Sequence, residues 1–190
     1  MIDPDAQLVA RCREGDVVAL ELLYRKYVDR MWRYGWLVTR SRDAAAEIVQ
    51  DTFLRVSRSI GAFAGRSSFS TWLFAIHRSA TIEHVRRTQQ ERRLSSPLLR
   101  LVPSEDASTA GETGEDSREA VRRAVAELPA AQRDAVILCE FVGLSIADAA
   151  SVLGWGQSRV KVTLFRARRR LREMLKELVA GSSAGESTGS

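Results

Sequence analysis

Between residues 20 and 34 the apolar side chains fall three and four apart, at Leu20, Leu23, Tyr24, Tyr27, Met31 and Tyr34, the spacing of one stripe along an α-helix. The same period fills most of the chain. Upstream, Leu8, Val9 and Cys12 form a shorter stripe behind Asp3 and Pro4, an N-cap and first-turn pair, while Gly15 and Asp16 end that helix and cap the next. A third helix is expected to start near Asp43, with Ala46, Val49, Phe53 and Val56 on one face and Gln50, Asp51 and Arg55 projecting elsewhere. The run GAFAGRSSFS, residues 61–70, breaks the period with two glycines and three serines and predicts a loop. Ser70 is placed to cap a fourth helix whose apolar face carries Trp72, Leu73, Ile76, Ala80 and Val85.

The period lapses over residues 103–117 and resumes after them. Ser117 can cap a helix ending at Leu128 and Pro129, and a second is expected from Ala130 to Phe141 with Val136, Ile137 and Leu138 inward, stopped by Gly143. A short helix capped by Ser145, a turn at Gly154 and Gly156, and a long basic helix then follow, a helix-turn-helix pattern. Few alternating β-branched runs interrupt this, so the fold class is all-α.

Charge sharpens the division. Residues 61–102 hold seven basic and two acidic side chains, whereas residues 103–117 hold five acids, no base and no large apolar residue. Such a stretch cannot bury a core and reads as a flexible linker. The expected organisation is therefore two small helical domains, residues 1–95 and 118–179, joined by an acidic linker over 96–117 and followed by a disordered Gly/Ser-rich tail over 180–190. Over all 190 residues the balance of 45% hydrophobic and 28% charged is that of a folded protein, and the net charge of +5 favours a polyanionic partner. The longest apolar run is too short for a membrane span and the N-terminus lacks a signal-peptide pattern, which reads as a cytoplasmic protein without membrane insertion. Cys12 and Cys139 sit within apolar helical patterns and read as small buried thiols.

Between residues 159 and 172 seven cations occur without an acid: Arg159, Lys161, Arg166, Arg168, Arg169, Arg170 and Arg172. Val160, Leu164, Ala167 and Leu171 recur between them at helical spacing. A helix that packs one face on a short partner helix and shows arginine on the other suits the DNA major groove, where arginine binds guanine bidentately and its neighbours neutralise phosphate. A merely solvated basic helix is the competing reading, and the preceding turn favours DNA. His77 and His84 stand seven apart on one helix without a further ligand and read as structural or solvated histidines; no catalytic, cofactor or metal constellation is evident.

On these residues the chain resembles the extracytoplasmic-function sigma factors of bacterial RNA polymerase. The matching segments are DAQLVARCREGD, ELLYRKYVDRMWRY, EIVQDTFLRV and FSTWLFAIHRSATIEHVRR before the acidic stretch, and ELPAAQRDAVIL, GLSIADAASVLG and RVKVTLFRARRRLREML after it. The resemblance implies a region 2 module for the promoter −10 element and a region 4 module for the −35 element. It further implies core polymerase, through its β′ clamp helices and β flap, promoter DNA as duplex and melted strand, and an anti-sigma factor as partners, with no enzymatic activity. Gln50, Asp51, Phe53 and Arg55 correspond to the β′-docking helix. Phe63, Gly65, Arg66 and Ser67 correspond to the pocket that captures a flipped −10 base. Trp72 matches an aromatic the family usually has, yet lies on the apolar face and reads as core. In the second module Arg159, Lys161, Thr163, Phe165, Arg166, Arg168 and Arg169 correspond to the recognition helix.

The chain departs from the family pattern at several points. Ser79 stands where asparagine is usual in the −10 pocket, Ala46 and Glu47 replace an acidic pair, Ser158 and Arg159 replace glycine-threonine, and Val162 and Thr163 replace serine-arginine. Base contacts in the recognition helix therefore fall first on Lys161, Phe165, Arg166 and Arg168. The alternative function is a stand-alone helix-turn-helix regulator that binds duplex DNA without polymerase.

Overall fold

The computed structural model describes residues 3–94 and 113–184, and these form eight α-helices with no strand among them. They are α1 (Ala6–Arg13), α2 (Val17–Thr39), α3 (Arg42–Ser59), α4 (Phe69–Leu94), α5 (Thr113–Ala126), α6 (Ala130–Val136), α7 (Ile146–Leu153) and α8 (Gln157–Ala184). A 3-10 turn over Ile60–Ala62 follows α3, and a π-helical turn over Ile137–Phe141 prolongs α6. Two expected boundaries shift. Helix α5 opens at Thr113, so residues 113–117 are helical rather than linker, and α8 runs on through Ala184, past the expected start of the tail. Residues 96–112 of the expected linker and 185–190 of the tail lie outside the described residues.

Local chemistry sets the helix starts. The Asp16 carboxylate accepts from the backbone N–H groups of Val18 and Ala19 at 2.9 and 3.1 Å, and the Ser41 and Ser145 hydroxyls accept from Ala44 and Asp148 at 3.2 and 3.1 Å. For α4 the cap is Ser68, not the expected Ser70. Its Oγ accepts from the Thr71 N–H at 3.2 Å, and the free N–H of Phe69 donates to the Asp3 carboxylate at 2.6 Å. Ser70 is already inside the first turn, too late to reach an orphan donor.

In the first half, α2 lays Leu23, Tyr27, Met31 and Tyr34 against Ile48, Val49 and Val56 of α3 and Leu73 and Phe74 of α4, all buried. The inward face of α3 is rotated from expectation: Ala45 and Ile48 are buried while Ala46 is exposed. Gly35 explains the close approach, because a Cβ there would stand 3.2 Å from the Ala45 Cα. The N-terminus is tied in by Asp5, fully buried, which accepts from the Tyr27 hydroxyl and the Lys26 ammonium. In the second half Val125, Leu128, Val136, Ile137 and Leu138 surround Val160, Leu164 and Ala167 of α8.

The two halves also pack on each other, α4 against α7 and α2 against α5 and the π turn. Polar contacts cross between them. The Arg78 guanidinium donates to Asp134 at 2.8 and 3.0 Å, the Thr71 hydroxyl donates to Asp148 at 2.7 Å, and Arg30 Nε donates to the Val142 carbonyl at 2.7 Å. Beside them Arg122 lies over the Trp36 ring, 4.8 Å from its centroid.

His77 is fully buried where α2, α3 and α4 meet. Its Nε2 stands 2.9 Å from the Met31 carbonyl and its Nδ1 2.9 Å from the Thr52 hydroxyl. A carbonyl only accepts, so Nε2 carries the proton and Nδ1 accepts from Thr52, whose single proton is shared with the Ile48 carbonyl at 2.7 Å. Burial disfavours the imidazolium more than the Met31 carbonyl favours it, and the pKa falls to about 4. A folded-state pKa below the unfolded value means stability is fully present above about pH 6.5 and lost as pH falls towards 4. Urea unfolding of the wild type and of His77→Gln across pH 5 to 7.5 checks this. The difference in unfolding free energy between them should shrink by about 2 kcal/mol at pH 5, and a constant difference would remove His77 from the acid sensitivity.

Candidate functional site

On α3 the exposed Gln50 and Leu54 and the half-buried Asp51 and Arg55 recur at helical spacing and form one surface. Leu54, 54% exposed, is an apolar centre that the sequence reading passed over, although it stands three and four residues after Asp51 and Gln50. Phe53 belongs to the opposite side. It is buried, with its ring 4.8 Å from that of Tyr24, and its share in any docking surface is to hold α3 in place.

Arg55 is the hub of a charged network that spans two helices. It meets Asp51 at 2.9 Å and Glu83 of α4 through two hydrogen bonds at 2.7 and 3.1 Å, and the Ser79 hydroxyl donates to Glu83 at 3.0 Å. Hydrogen bonds to Glu83 and Asp51 raise the Arg55 pKa, and the Arg55 guanidinium lowers that of Glu83. Glu83 was not anticipated; its signal was only its place four residues after Ser79. Ser79 therefore joins the α3 surface rather than the loop, lying ten residues into α4, about 15 Å along the axis from Phe69.

The loop before α4 separates its residues sharply. Gly65, Arg66 and Ser67 are exposed, and Gly65 takes φ +68°, a left-handed conformation that a side chain would strain. Phe63 is only 7% exposed, with its ring 4.9 Å from Trp72 and 6.3 Å from Phe69. Of the residues that correspond to the −10 pocket, Phe63 alone is covered by neighbouring rings. Trp72, half-buried on top of Phe63, is the aromatic that reaches the surface.

In the helix-turn-helix, Ser145 caps α7, and Gly154 at φ +67° closes it before the turn into α8. Val160, Leu164 and Ala167 bury one face of α8, leaving Ser158, Val162, Phe165, Arg166 and Arg169 on the opposite face at 100° per residue. Val162 and Phe165 are 50% and 69% exposed. Arg159 stacks over Trp155 with its guanidinium 4.2 Å from the ring centroid, and Thr163 lines a groove with Pro129, Gln132 and Arg166. Lys161 and Arg168 project from one flank. Arg168 donates to Glu140 at 3.1 Å, which turns it towards the π turn and away from the other recognition residues. Among the described residues neither Lys161 nor Arg166 takes part in an ion pair, and Arg169 meets only Glu173, at 3.7 Å.

Among the described residues no group of three or more His, Cys, Asp or Glu could hold a metal, and no helix is long and apolar enough to cross a membrane. His77 faces inward, whereas half-buried His84 stands 3.8 Å from Glu47. Cys12 is buried and Cys139 partly so, and burial raises both thiol pKa values.

Two family models match this chain: Sigma-70 region 2 over residues 23–91 and Sigma-70, region 4 over residues 118–171. The ECF RNA polymerase sigma factor SigM of Mycobacterium tuberculosis is 34% identical over 177 residues, covering 93% of this chain and 87% of SigM. The RNA polymerase sigma-H factor of Pseudomonas aeruginosa is 31% identical over 188 residues, covering 93% of this chain and 96% of that protein. Among solved structures, the sigma factor RpoE of Bartonella quintana in complex with the anti-sigma factor NepR superposes with a TM-score of 0.71 at 26% identity, over 82% of this chain and 96% of that one. CnrH in complex with the cytosolic domain of CnrY shares the fold, with a TM-score of 0.69 at 21% identity over 92% and 99% of the two chains.

Truncating Phe63 should act on stability first. Phe63→Ala removes a buried ring from the Trp72 and Phe69 cluster and should cost about 3 kcal/mol in urea unfolding. Unchanged unfolding would return Phe63 to the surface.

Proposed function

The chain belongs to the extracytoplasmic-function sigma factors of the sigma-70 family, and on that premise we propose how its surfaces divide the work of directing RNA polymerase to promoters. The observation that carries the division is the exposed face of α8, where Arg166 and Arg169 adjoin the apolar Val162 and Phe165. A helix held by its buried side on α6 and α7 can lay that face in the major groove of the −35 duplex. Arg166 makes base contact there, Arg159, Lys161 and Arg169 neutralise phosphate, and Thr163 lines the edge of the groove.

The first half docks on core polymerase. Gln50, Asp51, Leu54 and Arg55 present a polar surface with an apolar centre, suited to the β′ clamp helices, while region 4 meets the β flap. Gly65, Arg66 and Ser67 let backbone and one cation approach the melted −10 strand, with the Trp72 ring as the stacking surface. The protein acts in the cytoplasm, needs no cofactor and catalyses no reaction of its own; an anti-sigma factor is a partner. The match of both halves to sigma regions favours this over a stand-alone regulator.

The packing of the halves adds a requirement. Centres of −10 and −35 elements lie about 25 base pairs apart, about 85 Å of duplex at 3.4 Å per pair. Thr71 touches Asp148. From Asp148 to Ser158 the chain spans at most about 36 Å, and from Thr71 back to Ser67 about 14 Å. The closed arrangement cannot place both modules on their elements, so the halves part when the promoter is bound.

Asp51→Ala should lower affinity for core polymerase about tenfold, or ~1.4 kcal/mol, with melting nearly unchanged because the lost Arg55 pair is solvent-exposed. Unchanged affinity in fluorescence titration removes the docking assignment. The double substitution Asp134→Ala and Asp148→Ala should increase the radius of gyration in small-angle scattering and strengthen binding to −35 duplex. A compact double variant with unaltered duplex affinity would mean that the contacts between the halves do not restrain it.

A further inference from the structure

We propose that Val162, seconded by Phe165, reads the C5-methyl group of a thymine in the −35 duplex and is a specificity-determining residue of this sigma factor. The inference rests on α8 being the recognition helix. Val162 lies opposite the stripe formed by Val160, Leu164 and Ala167, so it occupies the middle of the face that α8 turns outward. Phe165 follows three residues later, and the two make a short apolar strip with Arg166 and Arg169 beside it. Val162 borders the groove it shares with Pro129 and Gln132, and no side chain covers the rest of the strip. Both side chains are half or more exposed, and a β-branched valine disfavours the helix that carries it.

The groove supplies what the strip lacks in solution. Of the groups that base pairs present in the major groove, only the thymine methyl is apolar. Valine has neither donor nor acceptor, so it gains nothing from the polar edges of guanine, cytosine or adenine and desolvates any it covers. Arg166 and Arg169, both on the C-terminal side of the strip, can engage purine edges and phosphate, which holds the strip at the depth of the methyl groups. The family resemblance put serine at position 162, a residue that bonds to several bases, and Val162 narrows that choice.

The test uses the full chain in holoenzyme with core polymerase. A library of promoter duplexes randomised at the −35 element defines the preferred site, and each thymine in it is then replaced singly by deoxyuridine, which removes only the methyl. The wild type should lose roughly fourfold in affinity at one position, the value of one buried methyl, and Val162→Ser should show no loss there. Its thermal melting should match the wild type, since Val162 is half-exposed. If no deoxyuridine substitution affects the wild type, or Val162→Ser stays equally sensitive, the proposal falls. It falls too if Val162→Ser weakens binding to core polymerase while leaving −35 preference intact, because the strip is then a protein-docking surface. If the library yields no −35 preference at all, the recognition-helix reading fails and the proposal with it.

Discussion

The register of α4 is set by the two hydrogen bonds of His77, and the surfaces of this protein follow from it. An imidazole buried among three helices is tolerable only when both ring nitrogens are satisfied, and here Met31 and Thr52 do so from α2 and α3. A shift by one residue would break both bonds and rotate the helix by about 100°. Held in place, α4 sends Arg78 and Thr71 to the second half, Glu83, with Ser79 bonded to it, to Arg55 of α3, and Trp72 to the loop. A single buried polar side chain thus helps to align three surfaces on one helix.

Much of this was legible in the sequence because helical period and capping are local properties. The stripe on α2, the Asp16 cap and the turn before α8 all follow from residues within one or two turns of each other. The misplacements arose where distant residues decide. Ser68 rather than Ser70 caps α4 because Asp3, 66 positions upstream, takes the N–H of Phe69. Ala46 faces out because Gly35 lets Ala45 press against α2. Phe63 stands in a Gly/Ser loop that corresponds to the −10 pocket, and only the rings of Phe69 and Trp72 reveal that it is covered. Glu83 and Leu54 escaped notice for the opposite reason: their roles depend on which neighbours share their face.

The cations are likewise sorted by partners that composition does not reveal. A run of seven basic residues suggests a uniform positive surface, yet Arg168 is taken by Glu140 and Arg159 leans on Trp155. On the proposed reading, the cations that α8 turns to DNA centre on Arg166, with Arg159, Lys161 and Arg169 near it. Partial neutralisation lowers the affinity for arbitrary duplex, which depends on the number of phosphates neutralised. In a promoter-specificity factor that loss is useful, because discrimination depends on the ratio of specific to non-specific binding.

The contact between the halves has the character of a reversible one. Its ion pair, Arg78 with Asp134, is partly exposed, and next to Trp36 and Phe141 lies an apolar groove of about 490 Å³ that no side chain fills. Such an interface resembles a transient association rather than a core. It need not be strong, since tethering raises the effective concentration of one half at the other to about the millimolar range, and a contact worth ~4 kcal/mol then suffices to close them. Covalent geometry lets Thr113 lie at most about 68 Å from Leu94, which leaves room for separation. Specific DNA binding of the order of 11 to 15 kcal/mol exceeds the closing energy severalfold. The same contacts can therefore keep the free protein compact and yield when polymerase and promoter engage both faces.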